Sequence, residues 1–359
     1  MFSSCGGGSP AAPPAPPAPS GGNFLQDASL GISTLQGWYD QSTGLWQTTG
    51  WWNAANSITV LGIYSKLSGS SQYLPTISNT FNVNESGGFL NNYYDDEGWW
   101  ALAWIEAYDV TGQTSYLNMA EQIFSDMTTG WDATTCGGGI WWNKTHTYKN
   151  AIANELFLSV AANLALRAPS GSQQYTTDLN WAQMEWNWFA QSGMINSQNL
   201  INDGLTINTT DPSSCQNNRE TVWSYNQGVI LGGLTALAKL TQNPSLLQKA
   251  QTIALAAIAN LTDSNGILHD SCEPNCGADG VQFKGIFTRN LAVLNASLPN
   301  AQYDTFLQTN AGAIWNDDRG PNDQFGQVWS GPYITANAAS QTSAIDTFLA
   351  AYPVSANAP

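Results

Sequence analysis

One pattern recurs along this chain and limits what it can fold into: a Gly-rich, aromatic loop runs into a polar patch and then into a strongly apolar helix. It occurs at 48–56 (TTGWWNAAN), 87–100 (GGFLNNYYDDEGWW), 136–155 (CGGGIWWNKTHTYKNAIANE), 200–230 (LINDGLTIN through WSYNQGVI), 266–290 (GILHDSCEPNCGADGVQFKGIFTRN) and 320–331 (GPNDQFGQVWSG). Apolar residues recur three and four apart, the helical period, in WWALAWIEAYDV (99–110), NAIANELFLSVAANLALRA (150–168), NQGVILGGLTALAKL (226–240) and LLQKAQTIALAAIANL (246–261). Most of these helices precede a more solvent-facing one, as at 116–127, 178–190 and 301–315. Convincing alternating strands are missing, so the fold class is all-α. Six helical hairpins closing on themselves give an (α/α)6 toroid, an inner ring of helices with long loops gathered at one end. An open solenoid joins its repeats by short turns, whereas these loops are long and aromatic. Long loops in a compact domain are commonly functional, which puts the expected site on the looped face.

The repeats occupy one large domain, 23–359. Residues 1–22 read as a disordered Pro/Ala/Gly-rich linker or expression remnant. That head lacks the apolar core of a signal peptide, and the C-terminus lacks the hydrophobic tail of a GPI signal. No run of eighteen apolar residues occurs, so no membrane span is expected.

A formal charge of −16 and a pI near 4.1 repel phosphate backbones and anionic lipid, which excludes nucleic acid and membrane surfaces as partners. Acidic polysaccharides need basic residues in a cleft, and the chain has only ten Lys and Arg. Charged residues make up 10%, well under the usual quarter, leaving polar contacts to Asn, Gln, Ser and Thr and favouring neutral ligands. Sixteen Trp and thirteen Tyr supply both core and flat platforms on which sugar rings stack.

Cys5 lies in the low-complexity head, leaving Cys136, Cys215, Cys272 and Cys276. No zinc-site spacing is present, and disulfides in an oxidising compartment fit better. Cys272 with Cys276 would close a tight loop and Cys136 with Cys215 would tie distant ones, one connectivity of three. Secretion is the expected fate, and Asn84, Asn143, Asn208, Asn260 and Asn295 stand in glycosylation sequons.

The sharpest local feature is Tyr93-Tyr94-Asp95-Asp96-Glu97-Gly98-Trp99-Trp100 at a helix entry. Acids there commonly serve as caps and suit the helix dipole. Aromatic residues on both sides are an unusual setting for a solvated cap. Glycosidic cleavage uses two carboxyl groups, one ionised and one protonated. Neighbouring Asp residues fit the ~5–5.5 Å carboxyl separation of retaining enzymes more easily than the wider gap of inverting ones. Two close carboxylates repel, so one keeps its proton to higher pH, while the positive helix end keeps the other ionised.

The motifs YYDDEGWWALAW (93–104), CGGGIWW (136–142), YKNAIANELF (148–157), WSYNQGVILGG (223–233) and FKGIFTRNL (283–291) resemble, in this order, glycoside hydrolase family 76, the endo-α-1,6-mannanases and related fungal cell-wall proteins. The resemblance covers about residues 23 to 352. It implies an (α/α)6 fold and retaining hydrolysis of α-1,6-mannosidic bonds, with Asp95 as nucleophile and Asp96 as general acid/base.

Further candidates for holding sugar are Trp99, Trp100, Trp142, Asn150, Asn154, Asp203, Trp223, Asn226 and Gln227. Trp141 is another platform candidate, and in each Trp-Trp pair one ring is expected to face the core. Asp203-Gly204 equally suits a turn; the Asn and Gln side chains equally suit capping of Gly-rich backbone. Lys149, Lys284 and Arg289 are expected to pair with acids. His146 and His269 stand alone, leaving no catalytic triad. No metal or cofactor is expected, and the chain is expected to be a monomer. The expected activity is endo-acting α-1,6-mannan hydrolysis; the alternatives are a cell-wall transglycosylase on the same fold and a non-catalytic mannan-binding protein.

Overall fold

The computed structural model describes residues 23–356; the expected linker at 1–22 and Cys5 lie outside the described residues. Twelve helices run through that span: α1 (Phe24–Gln36), α2 (Trp51–Ser68), α3 (Leu74–Asn84), α4 (Tyr94–Thr111), α5 (Thr114–Met127), α6 (Ala151–Ala165), α7 (Gln173–Phe189), α8 (Ser224–Thr241), α9 (Pro244–Leu261), α10 (Phe283–Ser297), α11 (Ala301–Asp317) and α12 (Ala338–Ala356). The even-numbered helices pack each against the next, and α12 returns to α2, closing an inner ring. The odd-numbered helices lie outside them, so the fold is the expected (α/α)6 toroid. Two small antiparallel hairpins, Tyr39–Asp40 with Leu45–Trp46 and Leu205–Ile207 with Cys215–Asn217, decorate the loops.

Ring closure explains the sequence pattern. An inner helix meets neighbours on every side, so it is apolar all round: in α6 every residue but Asn163 is buried. An outer helix buries one stripe, as α5 does with Tyr116, Met119, Ala120, Ile123, Phe124 and Met127. Inner helices also approach closely. A Cβ on Gly228 of α8 would sit 2.6 Å from the Phe287 backbone of α10, and one on Gly285 would sit 2.5 Å from the Ser343 backbone of α12. Hydroxyl pairs across the ring, Ser57 with Thr342 (2.9 Å) and Thr288 with Thr347 (3.0 Å), satisfy the polar groups buried there.

Each of the six loop segments leads into the N-terminus of an inner helix. Four of them are pinned by a repeated device, a buried amide side chain that pairs with loop backbone as a strand neighbour would. Asn154 accepts from the Ile140 amide (2.8 Å) and donates to its carbonyl (3.1 Å); Gln227 does the same with Ile201 (2.8 and 2.9 Å). Gln341 accepts from Phe325 N–H (2.8 Å), and Asn310 accepts from Leu268 N–H (2.9 Å).

The Gly-rich segment at 136–139 is shaped by two contacts. Trp188 lies against Gly138 and Gly139, where added Cβ atoms would stand 2.5 and 2.3 Å from its ring. The buried Lys149 ammonium donates to four carbonyls, of Asp132 (2.8 Å), Thr135 (2.7 Å), Gly138 (2.6 Å) and Gly139 (3.1 Å). The expectation that Lys149 pairs with an acid is therefore corrected: backbone carbonyls enclose it, and burial lowers its pKa to about 8. Lys284 does pair with Glu273 (2.5 Å) and Arg289 with Asp346 (2.8 Å). The disulfides are Cys136–Cys215 and Cys272–Cys276. Of the sequon residues, Asn143, Asn84, Asn260 and Asn295 use their side-chain N–H groups on Thr147, on the Thr43 and Thr80 carbonyls, on the Ala256 carbonyl, and on Asp304.

Candidate active site

A cleft of about 500 Å³ opens at the N-terminal ends of the inner helices. Five inner helices reach it through their first two turns or caps: Trp52 of α2, Asp95, Asp96 and Trp99 of α4, Asn150 before α6, Tyr225 of α8 and Phe283 of α10. Loops add Tyr93, Trp142, Tyr148, Asp203 and Asp279. The sixth sector departs from the pattern. The loop at 320–331 contributes nothing to the lining; its Trp329 is buried over the Lys284 ammonium, 4.4 Å from ring centroid to nitrogen.

Aromatic rings form two walls. Tyr93 and Trp142 pack at 5.0 Å on one side. Trp52 stacks on Trp99 at 5.5 Å, and Tyr225 stacks on Phe283 at 3.8 Å. Between the walls stand four carboxyl groups, Asp95, Asp96, Asp203 and Asp279, and no Lys or Arg lines the cleft.

Neither member of the Asp pair is the helix cap. Tyr93 occupies that position, and its amide donates to Asn91 Oδ1 (2.7 Å), while the Tyr94 amide donates to the Trp142 carbonyl (2.9 Å). The carboxyl groups are thus free to face the cleft. Asp95 Oδ2 accepts from the Trp142 indole N–H (2.9 Å), and its buried Oδ1 has no hydrogen-bond partner among the described residues. Asp96 Oδ2 accepts from the Asn91 side chain (2.6 Å). Burial first, then the neighbouring Asp96, push Asp95 well above the usual carboxylate range. Burial also lifts Asp96, to about 6, against the Asn91 hydrogen bond and with help from the charge of Asp279. The pair therefore holds a proton to higher pH than a free aspartate would.

Asp203 is held by Tyr148, whose hydroxyl donates to its Oδ2 (2.6 Å) and in turn accepts from Asn218 (2.7 Å). Its backbone carbonyl accepts the first amide of α6, from Ala151 (2.7 Å). Both readings of Asp203 hold together: the backbone shapes a turn while the side chain lines the cleft.

The Trp-Trp pairs split as expected, at 99–100 because consecutive residues of a helix point about 100° apart. Trp99 and Trp142 line the cleft; Trp100 and Trp141 do not. Trp100 is fully buried against Trp51, Phe89 and Trp104, and cannot reach a ligand in the cleft. Asn154 and Gln227 are likewise corrected, their polar atoms being engaged with loop backbone. Trp223 stands edge-on to Phe283 at 5.5 Å, outside the lining, and donates toward Asp203. Asn226 is fully buried beside Tyr225, with no hydrogen-bond partner for its amide among the described residues. Sequence reading missed Trp52, Tyr93, Tyr148, Tyr225, Asp279 and Phe283. Four of these sit within two residues of an inner-helix start, so the six-fold repeat itself carried the signal.

Fold and cleft together define an (α/α)6 barrel with an acidic, aromatic-walled groove over the inner-helix N-termini. The glycosyl hydrolase family 76 model matches residues 30–358, and the chain belongs to that family. It is 29% identical over 281 residues to a putative mannan endo-1,6-alpha-mannosidase of Schizosaccharomyces pombe, a match covering 70% of this chain and 60% of that protein. A mannan endo-1,6-alpha-mannosidase of Candida albicans is 29% identical over 230 residues, covering 58% of this chain and 48% of its own length. The chain thus spans about half to three-fifths of these relatives. The fold matches an inactive variant of an alpha-1,6-mannanase from Salegentibacter sp. HEL1_6, with two consecutive aspartates replaced by asparagine, in complex with alpha-1,6-mannotriose. That match has a TM-score of 0.82 and 22% identity, over 92% of this chain and all of that one. A Chaetomium thermophilum protein solved with glucosamine matches with a TM-score of 0.79 and 19% identity, over 94% of this chain and 91% of its own.

Proposed function

We propose that this chain is a retaining, endo-acting glycoside hydrolase that cleaves α-1,6-mannosidic bonds in mannan. The observation that carries the reading is the adjacent pair Asp95 and Asp96, facing an aromatic cleft that no cation neutralises. A neutral polysaccharide needs no basic residue to hold it, and flat rings suit its C–H faces.

In the first step Asp95 attacks the anomeric carbon while Asp96 gives its proton to the departing glycosidic oxygen. The C–O bond breaks and a mannosyl ester forms on Asp95. In the second step Asp96 takes a proton from water, whose oxygen attacks the same carbon and frees Asp95. Two displacements restore the α configuration. The Trp142 N–H steadies the negative charge of Asp95 each time it leaves the ester. Family membership and the mannan endo-1,6-alpha-mannosidase relatives support the substrate; the assignment of nucleophile and acid/base follows the family resemblance.

An extracellular location completes the proposal. Two disulfides support an oxidising compartment, and among the described residues no helix is long and apolar enough to cross a membrane.

Proton NMR of unbranched α-1,6-mannan during digestion tests the reading. New reducing ends appear first as the α anomer, and internal bonds are cut from the earliest times. A β anomer first, or intact polymer, would overturn it. Adding an acceptor sugar separates hydrolysis from transfer.

A further inference from the structure

The Gly-rich loop that brings Trp142 to the cleft also borders a second concavity, which the proposed chemistry does not use. This groove of about 520 Å³ is lined by Trp131 and Gly137 on the loop side and by Met184, Asn187, Trp188 and Gln191 on the α7 side. An outer helix needs one buried stripe, and α7 has it in Asp178, Ala182, Glu185 and Phe189. Met184, Asn187, Trp188 and Gln191 recur at the same helical spacing and form a second stripe, the last of them just past the helix end. Met184 is 38% exposed and Trp188 is half-buried.

The groove is held in shape. The Trp188 indole N–H donates to the Cys136 carbonyl (2.8 Å), and the Cys136–Cys215 disulfide anchors that stretch of loop. Gly138 and Gly139 lie along the indole, the first at its pyrrole end and the second at its benzo end. Trp131 stands edge-on to it at 6.5 Å. Polar capacity is left over: Gln191 Nε2 donates to the Asn187 carbonyl (2.9 Å), which leaves Gln191 Oε1 and the Asn187 side-chain amide for a ligand. Among the described residues no charged side chain lines the groove. Asp132, next to Trp131, turns its carboxylate onto the amide and hydroxyl of Thr134 (2.8 and 2.6 Å).

We propose that this groove is a second carbohydrate site, where a neutral polysaccharide chain stacks on Trp131 and Trp188 and hydrogen-bonds to Asn187 and Gln191. Its ligand is the mannan proposed for the cleft, and in that respect the inference rests on the functional reading. Flat rings with uncharged amides between them suit the C–H faces and hydroxyls of a sugar. Without a carboxyl pair the groove binds and does not cut. Gly137 in the groove and Trp142 in the cleft are five residues apart, a span of at most ~18 Å. One polymer can therefore engage both sites, and a hold at the groove raises its local concentration at the cleft.

The test titrates α-1,6-mannotetraose into the Asp96→Asn protein, which leaves the sugar uncut, with methionine methyl groups labelled with carbon-13. Met184 reports the groove, since Met119, Met127 and Met194 are buried, and Met184→Leu assigns its signal. The Trp142 indole N–H signal reports the cleft. The Met184 methyl should shift saturably, and Asn187→Ala combined with Gln191→Ala should weaken that titration roughly five- to tenfold. The Trp142 titration should stay where it was. A silent Met184 while Trp142 saturates, or a Met184 curve that follows Trp142 and ignores the double variant, would overturn the proposal. So would a Met184 shift that tracks protein concentration without sugar, which would make the groove a contact between copies. If the wild type left mannan uncut, the functional reading would fail, while Met184 would still decide whether the groove takes the sugar.

Discussion

The two ends of the toroid axis hold cavities of nearly equal size and opposite character. At the N-terminal end lies the cleft of about 500 Å³, with four carboxyl groups and no cation. At the C-terminal end all six inner helices line a cavity of about 530 Å³ in which charges are matched. There Lys66 bonds Glu106 (2.7 Å), Arg167 bonds Asp109 (2.5 Å) and Arg289 bonds Asp346 (2.8 Å). Lys66 and Lys239 also sit in the last turns of α2 and α8, where the helix dipole favours cations. Four of the ten Lys and Arg of this acidic chain line that cavity. At this end scarce cations neutralise buried acids, whereas no cation lines the cleft where chemistry is proposed.

Four measurements would break or sharpen that contrast. The largest effect belongs to the cleft: Asp95→Asn and Asp96→Asn should each lower kcat on α-1,6-mannan at least about a thousandfold. Their melting temperatures should match or exceed the wild type, because a buried carboxyl is replaced by an uncharged amide. A large loss of stability in either would assign the pair to architecture instead. At the other end the consequences should reverse. Arg289→Met leaves the fully buried Asp346 without its cation, at a cost of about 3 kcal/mol in urea unfolding. Specific activity of the folded variant should not change. Burial sets Asp346 at about 7, so the loss should shrink at pH 5, where Asp346 takes up a proton.

A smaller effect is expected from Trp142→Phe, which keeps the ring and removes the N–H from Asp95. A hydrogen bond to a charged group contributes about 1.5–3 kcal/mol, so kcat should drop roughly ten- to a hundredfold with the fold intact. Unchanged kcat would mean that this bond does not steady the ionised form. The mildest test is thermal stability against pH. Burial raises Glu97 and Asp318 to about 8 and Asp346 to about 7, each from the ordinary acid range. The folded state then keeps protons that the unfolded chain releases above about pH 4–5. That stability is whole below this range and is lost as pH rises through 7 to 8. The melting temperature should therefore fall from pH 5 to pH 8, and a rise over that interval would contradict these directions.

Much of the fold was legible because a closed ring imposes its repeat on the sequence. Helices that meet neighbours on every side must be apolar all round, and six such stretches after six aromatic loops admit few closed arrangements. The Asp pair was legible from its aromatic flanks. Individual roles within the loops were harder to read. Trp99 and Trp100 are the same residue type one position apart, and only the helix rotation decides which ring faces the axis. Asn154 and Gln227 are polar at the right end of inner helices, yet bury their amides against loop backbone. Asp279 sits in a Gly-rich stretch without an aromatic flank, and only the Trp52 bond, 227 residues distant, brings it to the site.

The account stands or falls on where the sugar is attached midway. Asp96→Asn, given an α-mannosyl fluoride with a 1,6-linked mannosyl extension, should form the ester and then stall, since fluoride needs no acid and water lacks its base. Acid quenching, proteolysis and peptide mass spectrometry should find the mannosyl adduct on Asp95. An adduct on Asp203 or Asp279, or turnover to the β product with no adduct, would contradict the account.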